Sequence, residues 1–385
     1  MSRLKKFDYR IRDNRKRNIL LISICLLTIV VVGIKLYRSY AKFEVETTEY
    51  EVINGTVVEP INAVEYLTSI VDDNPNTMFV DDTPDENIRY MGANPNNYVK
   101  FNNELWRIIG VMNNVDGGVV SGDDASRVKI IRAESLGEFP YYDECADENW
   151  TDNGDGTYTC SALRFNNNWP NSTVNEILTT YYNNGTHAAY HGTMYINNKW
   201  INYPTTAINF TSNGLNNKSK SLLETATYYL GGYNATSEDQ YNYQTMISSK
   251  WYEAERTNEG NNNPLTWTGN LGLMYPSDYG YATNGGSTSN KTLCDGYALY
   301  TLNNSDRLFC KINNYLYDKK NQWTITPRTD YYSLITSLSN SGFITNLSSH
   351  HGYNISPVLY LKSTVKIVAG PNSDGSSTKP YRLTI

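Results

Sequence analysis

The chain has 385 residues, 39% of them hydrophobic and 13% aromatic, with 33 Tyr and 7 Trp. So many rings exclude a solvated, disordered stalk, because something large must be buried. Of 33 basic residues eleven fall in the first 42, with only Asp8 and Asp13 of 39 acidic ones, so the remainder carries 22 against 37, about −15. That balance excludes nucleic acid and anionic lipid as partners of the main body.

In chain order, a basic head with Arg3, Lys5, Lys6, Arg10, Arg12, Arg15, Lys16 and Arg17 precedes the uncharged run Ile19 to Ile34. At about 1.5 Å per residue the run and its extension to Tyr37 reach roughly 28 Å as a helix, near the hydrocarbon thickness of a bilayer. The expectation is a cytoplasmic basic tail at 1–18, a single transmembrane helix at 19–37 and everything after it outside the plasma membrane. Ser39-Tyr40-Ala41 offers a small-x-small cleavage site, but Lys35 and Arg38 intervene between it and the apolar run. Ile24 stands before Cys25 where a lipobox needs a small residue, and no pilin-type leader precedes the run. Abundant Asn, Tyr, Ile and Lys fits a bacterial, AT-rich coding sequence.

Residues 38–97 read as a stalk or lead-in with one helix candidate, Asn62 to Val71, and a Pro, Asn and Asp-rich stretch behind it. From Tyr98 the expected domain, 98–385, begins with a strand meander: YVKF, a turn at Asn102-Asn103, ELWRIIGVM, then RVKIIRA. Two helices are expected next. One starts near Ser172 with Thr173 and Glu176 at capping-box spacing, and the other is KSKSLLETATYYLGG, stopped at Gly231-Gly232. LGLMYPSDYGYA, QWTITPRTD and ISPVLYLKSTVKIV read as core strands, and the last segment as a turn and closing strand.

Outside the apolar run the cysteines are Cys145, Cys160, Cys294 and Cys310, an even number suited to an oxidising compartment. Three pairings are open. The two short-range ones, Cys145 with Cys160 and Cys294 with Cys310, each close about fifteen residues and contribute about 3 kcal/mol by loop entropy, and these are expected. No Cys-x-x-Cys pair or neighbouring His supports zinc.

The order YVKFNNELWRIIGV, RVKIIRAESL, WPNSTVNEIL, LGLMYPSDYGYA, QWTITPRTD and ISPVLYLKSTVKI resembles a family of Firmicutes surface proteins, the DUF6273-type domain, over roughly 98–385. The resemblance implies a fold similar to the formylglycine-generating-enzyme type of C-type lectin domain, in which C-terminal strands frame a loop-built ligand surface. The chain departs from the pattern at Gln322 to Thr326, where the family reads Trp-Trp-Leu-Arg-Ser, and at Ser356, where it carries Arg. Any ligand contact made by that Arg does not transfer. The expected class is therefore α+β: a transmembrane helix followed by an extracellular, strand-rich, C-type-lectin-like domain with few helices and long loops.

No catalytic set stands out. His187 and His191 have the i, i+4 spacing of a metal pair, but Ala188 stands where a zinc protease needs Glu, and the segment reads as loop. His350 and His351 are adjacent and in a strand would face opposite sides. The better metal candidate is calcium at Asp152 and Asp155, in Asp152-Asn153-Gly154-Asp155-Gly156, although no bidentate Glu follows and the stretch is equally a hairpin turn. Trp106 and Trp323 fit core strands. Trp200, Trp251 and Tyr252 are the candidate ligand contacts, since Trp and Tyr offer a flat apolar face with a polar edge. These features favour a membrane-anchored surface module that binds a glycan or protein and needs no cofactor. The alternatives are an extracytoplasmic enzyme acting on carbohydrate and a structural envelope or prophage-encoded surface protein.

Overall fold

The strand Glu104–Met112 is buried along nearly its whole length, and the largest sheet is built around it. A computed structural model describes residues 51–53, 56–115, 126–142, 150–152, 158–160, 166–187, 193–196, 199–202, 208–235, 240–260 and 263–385. Within it, Glu51–Ile385 forms a compact unit. Its nine-stranded sheet runs Val358–Tyr360, Arg127–Arg132, Glu104–Met112, Tyr98–Phe101, Tyr381–Thr384, Lys366–Val368 and Ile61–Asn62, with Ile88–Tyr90 and Met78–Val80 branching from Glu104–Met112. The expected meander is present. Asn102 and Asn103 turn between its first two strands with φ of 55° and 61°, a left-handed conformation that Asn tolerates better than most residues.

Both faces of this sheet are covered, so its central strands read as continuous apolar runs and not as an alternation. Helix Ala63–Ser69 packs over Glu104–Met112 and Arg127–Arg132. Asn62 starts it, accepting from the amides of Val64 and Glu65 and donating to the Ser363 carbonyl. Loss of such a cap costs about 1 kcal/mol, which is the destabilisation expected for Asn62→Ala in a urea titration. At Gly110 the bulged strand comes so near Ile88–Tyr90 that a Cβ would sit 1.9 Å from the Ile88 carbonyl oxygen, so only glycine fits.

The second sheet has five strands, ordered Ile344–Ser348, Leu334–Leu338, Gln322–Pro327, Gly352–Asn354 and Glu138–Pro140. Trp323 anchors it: 1% exposed, it donates Nε1 to the Phe139 carbonyl at 2.8 Å and packs edge-on to Tyr141. Trp106, fully buried against Phe101, does the same for the larger sheet. Both tryptophans are core, as their strand patterns require.

The strand-rich α+β organisation with few helices is what the structure shows, and four expectations are corrected. Among the described residues no helix is long and apolar enough to cross a membrane. The longest α-helix, Ser248–Thr257, has ten residues, about half of what a bilayer core demands. The segment 19–37 assigned to the span lies outside the described residues.

The second correction concerns the stalk at 38–97. From Ile61 onward this stretch belongs to the domain, since Ile61–Asn62 pairs with Lys366–Val368, Ile88–Tyr90 pairs with Glu104–Met112, and Leu67 is fully buried. Third, the expected helix over KSKSLLETATYYLGG ends early. Asn217–Leu222 is helical, while Ala226–Tyr229 is a strand paired with Thr266–Gly269, as its β-branched and aromatic residues with alternating burial favour. Gly231-Gly232 then serves close approach instead of stopping a helix, for a Cβ on Gly232 would lie 1.8 Å from the Pro327 carbonyl oxygen.

Fourth, LGLMYPSDYGYA is not a strand through its centre but the buried helix Pro276–Tyr281. Pro276 occupies the first turn, where its missing N–H is harmless, and the Asp278 carboxylate accepts from the Tyr275 amide at 2.9 Å. The other expected helix begins with Ser172 as its cap, accepting from the Asn175 amide, and runs through Thr173–Glu176 into a wider π turn, Ile177–Tyr182.

Candidate functional site

Two solvent-facing features stand out. The first is a pair of tyrosines in the connection between Gln322–Pro327 and Leu334–Leu338. Tyr331 and Tyr332 are 47% and 51% exposed and stack on each other, ring centroids 5.3 Å apart at 25°. The backbone beneath them is fixed from inside. Buried Asn167 directs its amide nitrogen at the carbonyls of Arg328, Tyr331 and Leu334, at 2.7, 2.9 and 3.2 Å. Asn263 in turn donates to the Asn167 side-chain oxygen at 3.1 Å. Arg328 makes a two-point contact with Asp330, at 2.6 and 2.9 Å, and its guanidinium lies 5.3 Å from the centre of the Tyr331 ring. The hydrogen bonds from Arg328 hold the Asp330 carboxyl below its usual range. A shallow depression of about 90 Å³ adjoins the rings, lined by Asn167, Gly260, Asn263, Thr329 and the Arg328–Asp330 pair.

The second feature is a cleft of about 480 Å³ between the segment 75–91, the start of helix Ser248–Thr257, and helices Pro276–Tyr281 and Thr288–Asp295. Asp82 and Tyr281 meet there, the phenol donating to the carboxylate at 2.6 Å. Asp295 pairs with Lys291, whose ammonium also lies 4.3 Å from the centre of the Phe79 ring. Burial pushes the Asp295 carboxyl above its usual value despite that partner. The disulfide Cys294–Cys310 joins helix Thr288–Asp295 to Leu308–Ile312 and so ties down this wall.

Behind the cleft lies a network of four buried charges. Arg89 donates to Asp81 at 2.8 Å and to Asp278 at 2.7 Å, and Lys129 donates to the other oxygen of Asp278 at 2.5 Å. All four side chains are at most 2% exposed. Burial works against the Asp278 carboxylate, but Lys129 and Arg89 together outweigh it and its pKa falls. Burial pulls the Lys129 ammonium down to about 8 against the attraction of Asp278. Asp81 and Asp82 thus divide their roles. Asp81 turns inward, accepting also from Thr83 and Asn87, while Asp82 faces the cleft.

The residues singled out from sequence fare unevenly. Trp251 is fully buried against Tyr233, and Tyr252 is 3% exposed, so neither presents a face to a ligand. Their helix turns them into the core, where Tyr252 carries the Arg256 guanidinium 3.2 Å from its ring centre and donates to Asp85. Trp200 belongs to the hairpin Thr193–Ile196 with Lys199–Asn202, but its side chain lies outside the described residues. The same holds for the side chain of Asp152, at the end of Trp150–Asp152, while Asp155, Cys145 and His191 lie outside altogether. Cys160 pairs through its backbone with Trp150, and its expected bridge to Cys145 also falls outside. The other expected disulfide, Cys294–Cys310, is formed. His187 is exposed on an isolated bridge to Asn209. His350 and His351 do not diverge as they would in a strand: they lie at a turn with rings stacked 4.5 Å apart. Burial and the neighbouring ring lower His350 to about 4. Among the described residues no group of three or more His, Cys, Asp or Glu is placed to hold a metal ion.

The tyrosine pair was missed in the sequence, although a signal existed. Adjacent tyrosines in extended chain point to opposite sides, so at least one of Tyr331-Tyr332 had to leave the core. No family model, curated protein or solved structure matches this chain.

Proposed function

We propose that this chain is an extracytoplasmic binding domain of a bacterial cell surface that holds glycan on the Tyr331–Tyr332 platform. The observation that carries the reading is the pairing of two half-exposed, stacked rings with a polar frame already fixed by Asn167 and Arg328. Flat apolar faces suit the C–H faces of a sugar ring, and a loop that is ordered before binding loses little entropy on capture. Asp330, Arg328 and Asn263 around the depression supply planar hydrogen-bonding groups for hydroxyls. The Cys294–Cys310 disulfide supports an oxidising compartment, and the acidic balance is at odds with nucleic acid as partner.

The test is a glycan array followed by titration of the best hit. Tyr331→Ala and Tyr332→Ala are each expected to weaken binding about tenfold, equivalent to about 1.4 kcal/mol, without lowering the melting temperature. Retained affinity in both variants, or capture of host proteins and no glycan, overturns the glycan reading. The enzyme reading has one observation in its favour, the two carboxylates Asp82 and Asp295 on a single cleft. Hydrolysis of a bound glycan that stops on replacing either carboxylate would put a glycosidase in place of the binding domain.

A further inference from the structure

We propose that the free edge of strand Thr266–Gly269 is a self-association surface, on which a second copy of this chain lays its own Thr266–Gly269 antiparallel about a two-fold axis at Trp267. The phase of the hydrogen bonds is the first argument. Ala226–Tyr229 pairs with Thr266–Gly269 in an unbroken register, and the Leu230 amide extends that ladder to the Leu265 carbonyl at 2.7 Å. Hydrogen-bonded positions alternate in an antiparallel pair, so Leu265, Trp267 and Gly269 turn their backbone groups inward, while Thr266 and Thr268 turn theirs out. The opposite strand has the same phase. Tyr229 faces Thr266 but sends its amide away, to the Tyr275 phenol oxygen at 2.8 Å. Thr266 and Thr268 are exposed, and among the described residues nothing bonds their amides or carbonyls.

The second argument is the sequence of the edge. Thr266-Trp267-Thr268 reads the same in both directions. Laid antiparallel on its copy with Trp267 opposite Trp267, it sets the outward groups of Thr266 against those of Thr268 in the second copy, closing about four hydrogen bonds. A slip of one residue would set outward groups against inward ones. The matched register also stands threonine beside threonine on the outer face and brings the two Trp267 to the closely spaced, non-hydrogen-bonded position. Trp267 is already held in place, partly buried on Trp169 and Tyr228 with ring centroids 5.8 and 5.7 Å away. Sheet edges are ordinarily guarded by a charge, a proline or a bulge, and Thr266–Gly269 has none of these. From Gly260 to Ser277 there is no Asp, Glu, Lys or Arg, so two copies of an acidic chain meet here with no like charges opposed. A strand of another sequence would gain the backbone bonds without the matched Thr and Trp pairs, which makes a second copy the occupant that fits.

Sedimentation equilibrium of the full-length chain tests this, in a non-ionic detergent that covers the apolar run Ile19 to Ile34. The contact is small, so half-association is expected on the order of tens of micromolar. Thr268→Pro removes an outward amide that the ladder to Ala226–Tyr229 does not use, and is expected to raise that concentration by about tenfold or more. Thr266→Lys with Thr268→Lys, and Thr266→Glu with Thr268→Glu, are each expected to be monomeric. An equimolar mixture of these two double variants is expected to dimerise again, because the register sets each lysine against a glutamate. Should Thr268→Pro fold poorly, the double variants decide alone, since both positions are exposed. A wild-type chain still monomeric at about 200 µM, association that survives in the double variants taken singly, or a mixture that stays monomeric overturns the proposal.

Discussion

Asp278→Ala is expected to lower the unfolding free energy by about 4 kcal/mol, the largest loss expected for any single change discussed for this domain. The carboxylate receives Arg89 on one oxygen and Lys129 and the Tyr275 amide on the other, all in a region from which water is excluded. Removing it leaves the Lys129 ammonium with no carboxylate among the described residues and Arg89 with Asp81 alone, and a desolvated cation without its partner costs more than the pair itself contributes. Lys129 also lies 4.3 Å from the Tyr275 ring centre, a contact too weak to replace a carboxylate. The double variant Asp278→Leu with Lys129→Met is therefore expected to be more stable than Asp278→Ala alone, since it removes one stranded charge. Urea unfolding of the three proteins decides the matter. A loss under about 1 kcal/mol for Asp278→Ala, or a double variant no more stable than Asp278→Ala, would show that water reaches these charges.

That network explains where reading the sequence stopped. The meander from Tyr98 to Arg132 was legible because its signals are local: alternating or continuous apolar runs with an Asn-Asn turn between them. Asn62 marked its helix for the same reason. Asp278, by contrast, meets Arg89 and Lys129 across 189 and 149 residues, a proximity that no local pattern encodes. Only the lone Lys129 inside the apolar strand Arg127–Arg132 hinted that a buried partner was needed.

The misread helix at Pro276–Tyr281 has a similar cause, since apolar runs of that length do not distinguish strand from buried helix. Trp251 and Tyr252 are candidate ligand contacts by residue type, but helix Ser248–Thr257 turns one face inward, and that face holds both. No local sequence pattern marks the cleft. Asp82, Ser248, Tyr281 and Lys291 come from three distant segments and none belongs to a motif.

The pH dependence of stability turns on Glu255, directly beside this network and fully buried. Its oxygens accept from the Ser277 amide at 3.0 Å and the Ser277 hydroxyl at 2.6 Å, and Arg256 stands 3.5 Å away. Burial nevertheless dominates and pushes its carboxyl up to about 7. An acid whose folded pKa exceeds its unfolded value of 4.5 holds more protons in the native state between the two. Its contribution to stability is complete below about 4.5 and is lost as pH rises through 7, by about 3 kcal/mol in all.

His350, lowered to about 4, and His351, also lowered, act in the opposite sense. They favour the native state increasingly as pH rises toward 6.5, so the wild-type curve is flattened where the two effects overlap. Glu255→Gln separates them, because the amide reproduces the shape and neutrality of the protonated acid. The variant is expected to exceed wild type by under about 1 kcal/mol at pH 5 and by about 3 kcal/mol at pH 8, with most of the difference developing between pH 5 and 7. A difference between the two proteins that does not change from pH 5 to 8 would mean that Glu255 is ionised throughout, held by Arg256 and Ser277 more strongly than its burial opposes.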